Sequence, residues 1–207
     1  MAEEQIATQE EETEERRELD PETRARRDAA LRHVRRYGDP VLRSRAREIE
    51  VFDATLEDEV RRMERLMDQA LGIGLAATQL GVMHRLLVYR VEPEGPLGVL
   101  VNPVIEFKGD EVDTLEEGCL SLPGVSVEVE RPLHVRVRAQ DLAGKPLTLE
   151  AEGLEARVIQ HEVDHLDGVL ILDRTTRDQR KQAMRAMREA MAGGGTDDAP
   201  ARAGRLR

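Results

Sequence analysis

The segment QHEVDHLDG, residues 160–168, contains two histidines four residues apart, with a glutamate directly after the first. In a helix, His161 and His165 would lie one above the other on one face, where two imidazoles can bind a single metal ion. Glu162 would then be placed to handle the proton of a water in the same site. An ordinary polar helix with two hydrogen-bonded histidines is the alternative, and this segment alone leaves it open.

A catalytic metal site usually has three protein ligands and a water, so a third ligand is needed. The positions where two classes of zinc peptidase carry that ligand are occupied by Ile171 and by Glu189 in a basic terminal segment, and neither fits. The single cysteine, Cys119, lies in EEGCLSLPG. A lone cysteine is most often a small buried hydrophobe, but thiolate is also a soft metal ligand. The hypothesis is that Cys119 completes the site.

The glycine-containing segment GIGLAATQLG, residues 72–81, precedes the cysteine in the chain. It lacks the lysine of a P-loop and no nucleotide-binding βαβ unit follows, so it does not indicate phosphate binding. Two interpretations stay open. The segment is either a turn packed tightly against the core, or a flat backbone wall beside a substrate with Gln79 as a hydrogen-bond donor.

The elements that must position these residues alternate in type along the chain. Apolar residues recur every three or four positions over 55–71, with capping-box spacing between Thr55 and Asp58, and again over 154–166. Five further segments have the pattern of strands: 85–91, 98–107, 125–130, 134–140 and 146–152. Helices and strands joined in this way by short connections predict an α+β domain with a largely antiparallel sheet.

Composition narrows the class of protein. The chain has 207 residues and a net charge of −11, which disfavours general nucleic-acid binding. No apolar run approaches the roughly 20 residues that span a bilayer. The N-terminus is acidic where a signal peptide would be basic and then apolar. We therefore expect a cytoplasmic protein that does not enter a membrane.

The charge distribution predicts four regions along the chain. Residues 1–30 form a charged extension expected to be disordered, although 21–38 opens with proline and has the composition of a basic helix. Residues 31–175 are expected to form the folded domain that contains the candidate site. A basic C-terminal helix over 176–191 and a flexible, glycine-containing tail over 192–207 follow.

Three segments in this order, GIGLAATQ, EGCLS and QHEVDHLDG, resemble the motifs of the peptide deformylases. GDPVLR and VNPVI are also similar to family sequence, and the resemblance covers about residues 31–175. Those enzymes remove the formyl group from the N-terminal formyl-methionine of new polypeptides. The resemblance implies a metallohydrolase in which mostly antiparallel sheets pack around a central helix that carries the HExxH motif.

The resemblance also implies a role for each matching residue. The metal ligands would be Cys119, His161 and His165. Glu162 would be the general acid and base, while the side chain of Gln79 and the backbone N–H of Leu120 would stabilise the oxyanion. The family holds one divalent ion, Fe²⁺ in cells, with Zn²⁺, Ni²⁺ or Co²⁺ as alternatives.

Substrate binding follows by the same resemblance. Gly74 would hydrogen-bond the substrate through its backbone, and Ile73, Leu154 and Val158 would line the pocket for the methionine side chain. Many bacterial members carry an arginine soon after the cysteine motif that holds the substrate backbone. Here the nearest candidate is Arg131.

Two other functions are weighed against this one. A metallopeptidase that cuts internal peptide bonds would need a different third ligand, which the sequence does not offer clearly. A non-catalytic protein that keeps the fold would be expected to have lost Glu162 or Gln79, yet both are present.

The expected partners are a formyl-methionyl nascent peptide and the ribosome, with the enzyme acting as a monomer. The basic residues of segment 173–192 recur every three or four positions and would form one basic face: Arg174, Arg177, Lys181, Arg185 and Arg188. A solvated surface helix is the alternative to a ribosome tether.

Overall fold

The computed structural model describes residues 19–192. Its α-helices are α1 (Pro21–Leu31), α2 (Ala54–Gln69), α3 (Gly153–Leu166) and α4 (Arg177–Ala192). Its strands are β1 (Gly74–Ala76), β2 (Leu86–Tyr89), β3 (Gly98–Lys108), β4 (Val112–Cys119), β5 (Leu122–Pro132), β6 (His134–Gln140) and β7 (Pro146–Glu152). Short 3-10 helices lie at Pro40–Arg43, Ala77–Leu80 and Ile171–Asp173.

The strands form two antiparallel units with the histidine-bearing helix packed on them. Five strands pair in the order β1-β2-β3-β6-β7, and β4 pairs with β5 in a hairpin. Ile159, Val163 and Leu166 of α3 share a buried cluster with Leu87 of β2 and Val137 of β6. The predicted α+β fold, with antiparallel sheets around a central HExxH helix, is confirmed.

Helix α2 begins at a different cap from the one predicted. The carboxylate of Asp53 accepts hydrogen bonds from the backbone N–H groups of Thr55 and Leu56, so Asp53 is the N-cap and Thr55 lies inside the helix. An N-cap carboxylate satisfies N–H groups that have no partner within the helix and complements the helix dipole. The apolar face of α2 buries Val60 and Met63 in the core.

Two strands were absent from the sequence prediction. β1, Gly74–Ala76, lies within the segment interpreted as a turn or a backbone wall, and it is fully buried beside β2. β4, Val112–Cys119, is rich in acidic residues and its burial alternates between exposed and half-buried positions until it reaches Glu117. Among the described strands it pairs only with β5, and most of its residues are exposed or half-buried. Its sequence therefore lacks the apolar alternation that predicts a strand.

The N-terminal helix is shorter than predicted. α1 is capped by Asp20 and ends at Leu31 rather than at Gly38. Its last two residues, Ala30 and Leu31, are buried in the cluster that also contains residues of α2. The extension predicted over 1–30 therefore includes ten residues of helix. The disorder predicted for the residues before Leu19, and the tail predicted after residue 192, lie outside the described residues.

The C-terminal helix packs against the hairpin instead of standing free. Ala183 is buried, and Met184 and Met187 pack on the cluster that contains Cys119. The Gln179 side chain bonds the backbone N–H and the carboxylate of Glu128 on β5. In the part of the chain that is described, no helix is both long enough and apolar enough to cross a membrane.

Candidate active site

The structure brings the predicted metal ligands together from two elements. Cys119 is the last residue of β4, at the tip of the hairpin, while His161 and His165 lie one turn apart on α3. One ligand atom from each residue lies within 4.8 Å of the others. The Sγ atom of Cys119 is 3.2 Å from Nε2 of His165, and the two imidazole centroids are 5.0 Å apart.

The chemistry of this donor set fits a divalent transition metal. Burial lowers the pKa of His165 well below its ordinary value, which favours the neutral imidazole with a free lone pair. Burial also disfavours the charged form of His161, but hydrogen bonds with Cys119 and Glu117 raise its pKa well above the ordinary value, so a metal bound there displaces a proton. One thiolate and two imidazoles are ligands that Fe²⁺, Zn²⁺, Co²⁺ and Ni²⁺ all accept. A third imidazole or a carboxylate ligand is not required, since three protein ligands leave a position for water and substrate.

Glu117 orients the first histidine, a role that the sequence analysis missed. The Nδ1–H of His161 donates to Oε2 of Glu117 over 3.0 Å, which leaves the Nε2 atom of His161 for the metal. Burial alone would raise the pKa of Glu117, but hydrogen bonds from Arg131 and His161 lower it below the ordinary value. The signal was available in EEGC, because histidine ligands usually donate their second N–H to a carboxylate or carbonyl.

Arg131 does not hold the substrate backbone, contrary to the role considered for it. Its side chain is buried, with Nε and Nη2 on Glu117 at 2.8 and 2.9 Å and Nη1 on Asp164 at 2.7 Å. Arg157 adds a further bond to Glu117 over 2.8 Å. A buried guanidinium whose three nitrogens all bind buried carboxylates is not placed to hold a substrate backbone.

Glu162 is the buried carboxylate beside the ligand group. Its Oε2 atom has no hydrogen-bond partner among the described residues, and burial raises its pKa to about 7. A carboxyl group with this pKa can both take and return a proton near neutral pH. The lack of a side chain at Gly74 leaves the space beside the Glu162 carboxylate open. A Cβ atom at Gly74 would lie 2.4 Å from Oε1 of Glu162 and 2.9 Å from Val158.

Gln79 points its amide nitrogen toward the same group. Its Oε1 accepts the backbone N–H of Ala76 over 2.9 Å, which fixes the orientation of the amide. Its Nε2 lies 3.8 Å from Sγ of Cys119 and 3.4 Å from Oγ of Ser121. Leu120 and Ser121 form the two-residue turn of the β4–β5 hairpin, so the Leu120 backbone directly follows the cysteine.

The predicted pocket residues are brought together only in part. Gly74 and Val158 both adjoin Glu162, and Val158 and Leu154 pack on one apolar cluster. Ile73 is 41 % exposed. Their role in binding methionine stays a prediction.

Comparison with known proteins identifies the family. The profile described as Polypeptide deformylase matches residues 31–181. This chain belongs to that family. The peptide deformylase of Acidothermus cellulolyticus is 45 % identical over 167 residues, covering 81 % of this chain and 91 % of that protein. The family was anticipated from the three motifs, and the match confirms it.

Solved structures of peptide deformylases have the same fold. The Synechococcus elongatus enzyme in complex with actinonin superposes with a TM-score of 0.71 and 42 % identity, covering 74 % of this chain and 85 % of that one. The Thermotoga maritima enzyme gives a TM-score of 0.67 and 43 % identity, covering 69 % and 96 %. The chain is a deformylase of this metallohydrolase family and removes the N-formyl group from nascent peptides. The metallopeptidase and the non-catalytic alternatives are thereby set aside.

Proposed function

We propose that Cys119, His161 and His165 hold one divalent ion, Fe²⁺ in the cell, and that Glu162 moves the proton during deformylation. The observation that carries this proposal is the convergence of three ligand atoms within 4.8 Å beside a buried carboxylate oxygen that no group of residues 19–192 hydrogen-bonds. When bound, the ion supplies a Lewis acid that polarises the formyl carbonyl and lowers the pKa of water.

Side chains and backbone groups of the protein move the proton and stabilise the negative charge that develops on the substrate. Glu162 takes a proton from the attacking water as its oxygen bonds to the formyl carbon. Negative charge then grows on the former carbonyl oxygen, where Nε2 of Gln79 and the backbone N–H of Leu120 donate hydrogen bonds. Glu162 returns the proton to the amine nitrogen as the C–N bond breaks. The products are formate and a free N-terminus.

The substrate binds along the backbone of β1, which faces Glu162. Gly74 brings the β1 backbone against the carboxylate, because any side chain there would fill the space. The backbone of Gly74 binds the substrate main chain, and the methionine side chain enters the apolar pocket of Ile73, Leu154 and Val158. Methionine suits such a pocket because its thioether is flexible and polarizable.

The metal assignment is tested by elemental analysis of matched histidine variants. His161→Ala should lose bound metal and with it the release of formate from formyl-Met-Ala. His84→Ala is the control, because His84 lies on the surface and contacts Glu59 rather than the ligand group. Reconstitution of the metal-free wild type with Fe²⁺, Zn²⁺, Co²⁺ and Ni²⁺ in turn ranks the ions. Metal content in His161→Ala equal to that of His84→Ala would contradict the ligand set.

We also propose that α4 tethers the enzyme, a cytoplasmic monomer, to the ribosome. Arg177, Lys181, Arg185 and Arg188 are exposed on the side of α4 away from its core contacts. Arg174 does not belong to this face, since its guanidinium binds Asp164. Binding through such a basic face to ribosomal phosphate would weaken steeply with salt.

The tether is tested by charge reversal, because deleting α4 would uncover the apolar cluster beneath Met184 and Met187. Arg177→Glu and Lys181→Glu together should reduce co-sedimentation with ribosomes at low salt and leave turnover of formyl-Met-Ala unchanged. Arg138→Glu, on β6 at a similar exposure, is the control. If the Arg177→Glu, Lys181→Glu variant co-sedimented with ribosomes as much as the Arg138→Glu control, the tether would be refuted.

A further inference from the structure

A chain of ion pairs leads from the surface to the metal ligand His161. Arg174 binds Asp164 with two nitrogens, at 2.6 and 3.1 Å. Asp164 accepts Nη1 of Arg131 at 2.7 Å, and the other two nitrogens of Arg131 bind Glu117. Glu117 accepts the Nδ1–H of His161. Arg174 is 43 % exposed, while the side chains of Arg131, Glu117 and Asp164 are buried or nearly so.

The ion-pair chain depends on how many arginine nitrogens bind each carboxylate. Oδ2 of Asp164 is shared between Arg131 and Arg174, and Oδ1 is held by Arg174. Without Arg174, one oxygen of a largely buried carboxylate would lose its partner. An unpaired buried charge is costly, so neighbouring donors move to satisfy it. Arg131 already binds the other oxygen of Asp164. If Arg131 moves toward the unpaired oxygen, it withdraws nitrogens from Glu117, which then keeps the bond from Arg157.

We propose that Arg174 is a positioning residue for the metal centre. By occupying Asp164, it keeps Arg131 on Glu117, and Glu117 then holds the His161 ring with Nε2 directed at the metal. The inference rests on the proposed metal ligands and adds a residue that contacts neither metal nor substrate. Arg174 follows the 3-10 helix Ile171–Asp173 and precedes α4, so the metal centre is connected to the start of the C-terminal helix.

The experiment compares Arg174→Gln with Arg43→Gln in the full chain loaded with Co²⁺. Arg43 is a matched control because it pairs with Asp173 in the same region, is 41 % exposed, and has no bond to Asp164 or Glu117. Loss of Co²⁺ to excess chelator is followed by the thiolate-to-cobalt absorption band, and the thermal midpoint is recorded for each protein. Arg174→Lys keeps the charge but not the two-nitrogen geometry.

We expect Arg174→Gln to release Co²⁺ about threefold to tenfold faster than wild type. This effect is smaller than the roughly tenfold to hundredfold loss of metal affinity that follows when a direct partner of a ligating histidine is removed, because Arg174 acts on Glu117 only through Asp164 and Arg131. Arg174→Lys should recover part of this difference, and Arg43→Gln should match wild type. If Arg174→Gln does not fold, Arg174→Lys compared with Arg43→Lys carries the test.

Three other results of this experiment would each lead to a different conclusion. Equal release rates for Arg174→Gln and wild type would overturn the positioning role. Equal acceleration by Arg174→Gln and Arg43→Gln would also overturn it, because the effect would then follow from general destabilisation. A wild-type protein that binds no Co²⁺ would instead refute the ligand set on which the inference rests.

Discussion

Replacing Gly74 by alanine should impair the chemistry without removing the metal. A Cβ atom at this position would lie 2.4 Å from Oε1 of Glu162, whereas contacts of real Cβ atoms essentially never fall below 3.0 Å. The carboxylate or the strand must therefore move by about 0.6 Å. Val158 must give way as well, because the same Cβ atom would lie 2.9 Å from its Cγ1 atom.

A displacement of this size at the proton-transferring group has a large kinetic effect. A misplacement of about 1 Å can cost on the order of 100-fold in rate, so we expect kcat/KM to fall by roughly 10-fold to 100-fold. Formate release from formyl-Met-Ala measures the rate, and elemental analysis of the same sample should give unchanged metal content. The backbone N–H and C=O of residue 74 are retained, which separates this effect from loss of main-chain binding.

Gly109→Ala is the control for the effect of alanine on the unfolded chain. A Cβ atom at Gly109 would meet His134 no closer than 3.4 Å, an ordinary contact. If Gly74→Ala and Gly109→Ala had the same kcat/KM within twofold, the close approach of β1 to Glu162 would have no bearing on catalysis, and the reasoning would be refuted.

Three further substitutions test the surrounding residues. Glu117→Gln should weaken metal binding by roughly 10-fold to 100-fold in a Co²⁺ titration, because His161 loses its carboxylate partner; an unchanged affinity would contradict the orienting role. Gln79→Ala should keep the metal but lower kcat by roughly 10²–10³-fold through loss of one oxyanion donor; wild-type kcat would exclude that role. Arg131→Ala should lower the free energy of unfolding in urea by roughly 3–5 kcal/mol, since Glu117 and Asp164 stay buried without it; an unchanged midpoint would show that the network is dispensable.

The ligand set could be predicted from the sequence because its signals are local. The spacing of His161 and His165 places both on one helix face, and a site with two ligands together with one cysteine leaves few combinations. The helix α3 and most strands likewise follow from periodicity. β4 could not be predicted in this way, since its acidic, mostly exposed residues form a strand only because β5 pairs with them.

The ion-pair chain could not be predicted because its members are far apart in sequence. Glu117, Arg131 and Asp164 meet only when the hairpin packs on α3. Arg174 has the spacing of the basic face, but α4 begins at Arg177, so helical periodicity does not extend to it. The sequence left open whether Arg131 holds the substrate backbone, and its burial in the ion-pair chain argues against that role.

Glu162→Ala gives the most direct test of the central claim, that the buried carboxylate moves the proton while three other residues hold the metal. Metal content and formate release are measured on one sample, with Glu130→Ala on the exposed side of β5 as the control. The account predicts metal content equal to the control and turnover lower by roughly 10²–10⁴-fold. Turnover equal to the control, or loss of the metal together with the activity, would contradict it.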